Sequence, residues 1–157
     1  MAPVTSAVWA ALTLVLVLFS DVPLAALLSL TVLVGGFEAI HALHVGAERI
    51  GRYLQVYYEG DPDGPQWETA AMTVGPALPG GGVDPLFSVV FIGAAGLNLI
   101  SALVFVVEPT WQELAVLGVV HAAFVFRVIR ARVAAARQRP VELESFKALL
   151  SRQRDRD

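Results

Sequence analysis

Glu38, His41, His44 and Glu48 lie along one apolar stretch, and a further imidazole, His121, interrupts another. Carboxylate and imidazole are the groups that ligate zinc, iron or manganese. Paired imidazoles on facing helices hold b-type haem. Chains of Glu and His also carry protons through membrane transporters. An ionisable group at the centre of a spanning helix costs roughly 2.5–3.5 kcal/mol on insertion scales, so such groups survive where they face protein and act.

The spacing narrows the chemistry. Glu-x-x-His occurs at Glu38–His41, but carboxylate-bridged di-iron bundles need that pair on two helices with two further Glu. There is no His-Glu-x-x-His, no Gly-rich phosphate loop and no assembly of Ser, His and Asp. The chain has no cysteine, which excludes disulfides and thiolate metal sites. The candidate metal ligands are therefore Glu38, His41, His44, Glu48 and His121. His41 and His121, both toward the inner half of their segments, form the candidate cofactor pair for a metal ion or b-type haem.

The elements that must position these groups are membrane helices. Of 157 residues, 56% are hydrophobic and 16% charged, whereas a soluble domain carries about 25% charged residues. Four apolar runs, 4–19, 24–45, 86–107 and 110–129, compare with the roughly 20 residues a spanning helix needs. The start lacks the basic residues of a signal peptide, so the first run is read as a short span. Ser20-Asp21-Val22-Pro23 and Glu108-Pro109 break the runs into hairpins. The fold expected is all-α: four spans up and down, residues 1–139, followed by a cytoplasmic amphipathic tail, 140–157. Helix two should continue past the membrane to 58, with Tyr53, Tyr57 and Tyr58 at the headgroup level. Residues 60–84, rich in Pro and Gly, read as a long loop with a short helical piece around Trp67 to Met72.

Orientation follows from the 11 Lys and Arg, none of which precedes Arg49 or falls in a hairpin. The positive-inside bias places the long loop and both termini in the cytoplasm, with the protein in a bacterial-type inner membrane. Arg127, Arg130, Arg132, Arg137 and Arg139 follow the last span closely enough to bind anionic lipid headgroups. Past Pro140, Leu143, Phe146 and Leu150 keep helical spacing. With a net charge of −3, nucleic acid is not an expected partner.

One further pattern concerns contact rather than chemistry. Gly35, Ala39, Ala42 and Gly46 fall within about 60° of one another on a helical wheel. Small residues let helix backbones approach in lipid, so this stripe is expected to seat another helix, of this chain or of a second copy. Relative to Gly35, His44, Glu48, His41 and Glu38 point at about 180°, 220°, 240° and 300°. Together these features describe a small accessory or binding protein of the membrane, not an enzyme by itself, within a homo-oligomer or larger complex. An intramembrane metal-dependent enzyme and an oligomeric proton-coupled transporter are the alternatives.

Overall fold

The computed structural model describes residues 2–20, 22–60, 64–74, 85–105 and 108–155. Among them every regular element is helical: α1 (Ala2–Phe19), a 3-10 turn (Pro23–Ala25), α2 (Ala26–Tyr57), α3 (Trp67–Val74), α4 (Pro85–Phe105) and α5 (Trp111–Arg154). Three helical stretches among the described residues, Pro23–Tyr57, Ser88–Phe105 and Trp111–Arg154, are long and apolar enough to cross a membrane. In α1 the apolar stretch is the shorter Val4–Leu16. Asp21 and most of the Pro- and Gly-rich loop lie outside the described residues, while the short helix expected near Trp67 is α3.

Local chemistry explains the boundaries. Val22 is extended and Pro23 opens the turn that leads into α2, where its missing N–H has no bond to lose. Glu108 adopts a positive φ of 53° just before Pro109, turning the chain between α4 and α5. Thr110 and Glu113 then form a capping box: the Thr110 N–H and hydroxyl donate to Glu113 Oε2 at 2.9 and 2.8 Å, and the Glu113 N–H donates back to Thr110 Oγ1 at 3.3 Å.

Pro140, expected to open the amphipathic tail, lies inside α5. Helix α5 runs unbroken through it, so the segment from 140 onward is not a separate element. A proline inside a helix removes one backbone bond and crowds the preceding turn, at a cost of about 3 kcal/mol. Contacts made just beyond it, through Glu142, offset that cost.

The chain divides into two compact units. The first comprises Met1–His41 and Phe87–Arg130, the second Ala42–Leu86 and Ala131–Asp157. The core of the first unit is a seam of three helices. Leu30, Leu33 and Phe37 of α2, Phe91, Ala95 and Ala102 of α4, and Leu117, Phe124 and Val128 of α5 are buried. Their spacings of three, four and seven are those of interlocking helices. Phe37 is the hub, edge-on to Phe91 at 5.4 Å and to Phe124 at 5.9 Å between ring centroids. In lipid such contacts hold helices together by dispersion and fit, since apolar surface gains little from leaving lipid.

The close backbone approach is at Gly36, not at the stripe begun by Gly35. A Cβ at Gly36 would overlap the side chain of Thr5 in α1, whereas one at Gly35 or Gly46 would meet nothing within 4 Å. Ala39 and Ala42 are exposed. The stripe therefore seats no helix of this chain among the described residues. The reason is rotational. Leu30, Leu33 and Phe37 point at about 220°, 160° and 200° from Gly35, so large residues define the inward face and the small ones stand opposite.

This contrast is testable by thermal unfolding in detergent. Gly36→Leu should lower Tm through an overpacking cost of about 1–3 kcal/mol, while Gly35→Leu should leave the Tm of the monomer unchanged. Equal destabilisation by the two would contradict the assigned packing.

Candidate functional site

Three polar side chains of the first unit, Ser29, Asn98 and His121, meet in one network. Asn98 sits on the inward face of α4 and is 1% exposed. Its side-chain oxygen accepts from the Ser29 hydroxyl of α2. Its amide N–H groups reach the Ala26 carbonyl at 2.9 Å and His121 Nε2 at 3.1 Å. His121, on α5, is 2% exposed, and its Nδ1 lies 2.8 Å from the Leu117 carbonyl. A carbonyl only accepts, so Nδ1 carries the proton and Nε2 accepts from Asn98. The imidazole is neutral and both its nitrogens are engaged. Ser29, Asn98 and His121 thus tie three helices together through hydrogen bonds. Beside them is a cavity of about 20 Å³ lined in part by Thr13, Ser29, Asn98 and Ser101, with room for about one water. Thr13 is part of this lining, and among the described residues its buried hydroxyl has no hydrogen-bond partner.

His41 is not at this network. Its ring stacks on Phe37, 5.6 Å between centroids and 6° from parallel. Glu38 is paired with Arg127 at 2.7 Å, and the Arg127 guanidinium lies 5.6 Å from the Phe37 ring centroid. Phe37 thus has an imidazole and a guanidinium against its ring, and that guanidinium holds the Glu38 carboxylate. Glu38 and Arg127 remain 43% and 44% exposed.

In the second unit, His44 Nε2 lies 3.1 Å from Glu48 Oε1. Glu48 also takes a bond from Arg52 at 3.1 Å, the spacing of four expected of a helical pair. Arg52, 1% exposed, is the most enclosed charge described. Its Nη2 is 2.6 Å from Glu142 Oε2, and Arg49 Nη2 is 3.0 Å from Glu142 Oε1. Two arginines of α2 therefore hold one carboxylate of α5. Close by, an added Cβ at Gly51 would overlap the Glu68 carboxylate, which marks where α3 approaches α2.

The five candidate ligands are consequently not brought together as a set. Among the described residues no group of three His, Cys, Asp or Glu is placed to hold a metal ion. Each is instead engaged locally: His121 by Asn98 and Leu117, Glu38 by Arg127, His41 by Phe37, and His44 by Glu48. The five candidate lipid-binding arginines differ as well. Arg127 serves Glu38, Arg130 lies 5.8 Å over the Phe126 ring, and Arg139 contacts the Met72 sulfur. Arg132 and Arg137 are exposed.

The chain matches no family model, no curated protein and no solved structure. Sequence reasoning passed over Ser29, Asn98 and Glu142. Asn98 carried a signal, as the one strongly polar residue in an otherwise apolar run. Ser29 and Glu142 carried none, because a serine is tolerated anywhere in such helices and an exposed-looking Glu is ordinary after an arginine-rich stretch.

Glu142 generates a pH prediction. Burial alone would raise its pKa, but hydrogen bonds from Arg49 and Arg52 and their charges outweigh this and hold it below its ordinary 4.5. A carboxylate with a lowered folded pKa adds stability that is complete above the unfolded value and is lost as pH falls through the folded one. Hydrogen exchange across residues 141–154 should therefore accelerate as pH drops below about 4.5, after correction for the intrinsic rate. Glu142→Gln should exchange faster at neutral pH and lose most of that dependence. An unchanged pH profile in the variant would show that the clamp does not hold α5.

Proposed function

We propose that this is a small accessory protein of a bacterial-type inner membrane, spanning it four times with both termini cytoplasmic, and acting by association rather than by chemistry of its own. Its partner in this reading is a second copy. The observation that carries it is the half-exposed pair Glu38–Arg127 on the outer surface of apolar helices. In water such exposure is ordinary. In a bilayer it leaves two charges against hydrocarbon, which charged residues of spanning helices avoid by facing protein or a wet cavity. Arg127, near the end of its apolar run, reaches part of the way to the headgroups, but Glu38 lies seven residues before Val45 and does not.

Gly35 and Ala39 flank that pair on α2, both exposed and free of bulk. A two-fold dimer requires one patch that complements itself. A small-residue surface edged by one acid and one base meets that requirement, since each copy can offer its base to the other's acid while the backbones approach. Catalysis finds less support, because each imidazole and each carboxylate named above already has a neighbour that engages it.

The absence of native cysteine makes the test direct. Ala39→Cys and Gly35→Cys in membranes should form a disulfide-linked dimer on mild oxidation. Val119→Cys, on an exposed apolar face of α5 (68% exposed), should not. Glu38→Gln with Arg127→Gln should reduce the Ala39→Cys yield. Equal yields at positions 39 and 119, or a monomer in every membrane preparation, would contradict the reading.

A further inference from the structure

Within the second unit, α2 keeps one apolar row exposed. Its other sides are engaged: Arg49 and Arg52 hold Glu142 of α5, and Gly51 and Gln55 lie against Glu68 and Thr69 of α3. Leu43, Ile50 and Leu54 stand away from these contacts and are exposed, Ile50 to 62%. Gly46 lies on the same side, and an added Cβ there would meet nothing within 4 Å. Tyr57, half-buried through its stack on Tyr53, ends the row. At about 100° per residue the five fall within roughly 80° of one another, and none carries a charge.

Position along the helix decides what can cover this row. The headgroup layer adds about 5–8 Å to each side of the hydrocarbon. Leu54 and Tyr57 come nine and twelve residues after Val45, where the apolar run ends, or about 14 and 18 Å further along the axis. Even a helix tilted by about 40°, the upper end of the usual range, carries both past the headgroups. Lipid therefore does not reach the far end of the row. There the side chains meet water, and burial against protein is favourable.

Spacing points to the occupant. Leu43, Gly46, Ile50, Leu54 and Tyr57 follow steps of three, four, four and three. Followed back along α2, the same cycle reaches Ala39 and Gly35, so that the steps four, four and three occur twice. An eleven-residue cycle averages about 3.67 residues per turn, close to the 3.6 of a straight helix. A parallel helix can then stay against the row with little supercoiling. Two copies inserted alike in one bilayer have parallel α2 helices, and an uncharged row meets its own image without repulsion.

We propose that Ile50, Leu54 and Tyr57 form a cytoplasmic seam with the same residues of a second copy. This rests on the dimer reading above and extends it past the membrane. The two parts of the interface use different physics: close fit of small residues in lipid, and burial of large apolar ones in water. Three residues a side would not join free chains. Copies anchored in one bilayer are already held at high effective concentration, so a small contact suffices.

Cysteine cross-linking of the full chain in membranes tests this against a matched control. Ile50→Cys and Leu54→Cys should each give a disulfide-linked dimer on mild oxidation. Val141→Cys, on α5 of the same unit and also 62% exposed, should not. Ile50→Asp with Leu54→Asp sets like charges opposite one another across the seam. That variant should raise the dimer dissociation constant at least about tenfold, read by energy transfer between labelled copies over a range of protein-to-lipid ratios. Val141→Asp should leave the constant unchanged. The proposal is overturned if Ile50→Cys and Leu54→Cys link no better than Val141→Cys, or if the double aspartate variant associates as the native chain does. It is also overturned if Ile50→Cys is shielded from a water-soluble maleimide without linking, since another occupant then covers the row. Should Ala39→Cys link where these fail, the dimer stands without a cytoplasmic seam; should it fail too, the dimer reading falls with the seam.

Discussion

A buried amide in an apolar seam sets the register of the first unit. Asn98 can satisfy its oxygen and both N–H groups only where Ser29, the Ala26 carbonyl and His121 Nε2 surround it together. Leucine and phenylalanine contacts tolerate sliding and rotation, because one apolar neighbour serves much like another. A hydrogen-bonded layer does not. A rotation of α4 that moved Asn98 away from α2 and α5 would leave several polar atoms unpaired in a medium with no water to replace the partners. The polar layer therefore selects one packing among several that the apolar residues would permit, and Phe37 with Phe91 and Phe124 fills the packing so chosen.

The second unit uses a different device for a similar end. Arg52 is enclosed as fully as any core leucine, and a buried charge is tolerated only when paired and hydrogen-bonded. Glu48 and Glu142 supply both, and Arg49 completes the carboxylate's coordination. Replacing the whole cluster by apolar residues could leave stability unchanged. Removing one member could not, because the remainder would be stranded. The clamp also accounts for an α5 that passes through Pro140 without ending, since residues on its far side are held in place by α2.

The helices were legible because their causes are local. The long apolar runs and the breaks at Pro23 and Pro109 announce themselves along the chain. The extension of α2 to the tyrosines and the short helix at Trp67 were legible on the same terms. What could not be read was rotation about each helix axis. On α2 two faces compete for burial, one large and apolar through Leu30, Leu33 and Phe37, the other small through Gly35 and Ala39. Spacing describes both equally well, and only partners on α4 and α5 decide between them. The same limit governs the polar residues. His41 and His121 share a depth, but depth does not put two side chains on facing surfaces. His121 points into the seam beside Asn98, while His41 lies against Phe37 beside the Glu38–Arg127 pair.

The intramembrane imidazole is thus a packing group in this account, and a double-mutant cycle at Asn98 and His121 measures that most directly. Asn98→Leu and His121→Leu should each destabilise the protein, and the double variant should cost less than their sum. A coupling of about 0.6 kcal/mol is the average for such bonds in membranes, with values near 1.7 at the upper end. The ¹⁵N resonances of His121 should show a proton on Nδ1 and an unprotonated Nε2, unchanged by added zinc or haemin. Additive single effects, or His121 resonances displaced by either additive, would contradict the account and return the residue to the role of a ligand.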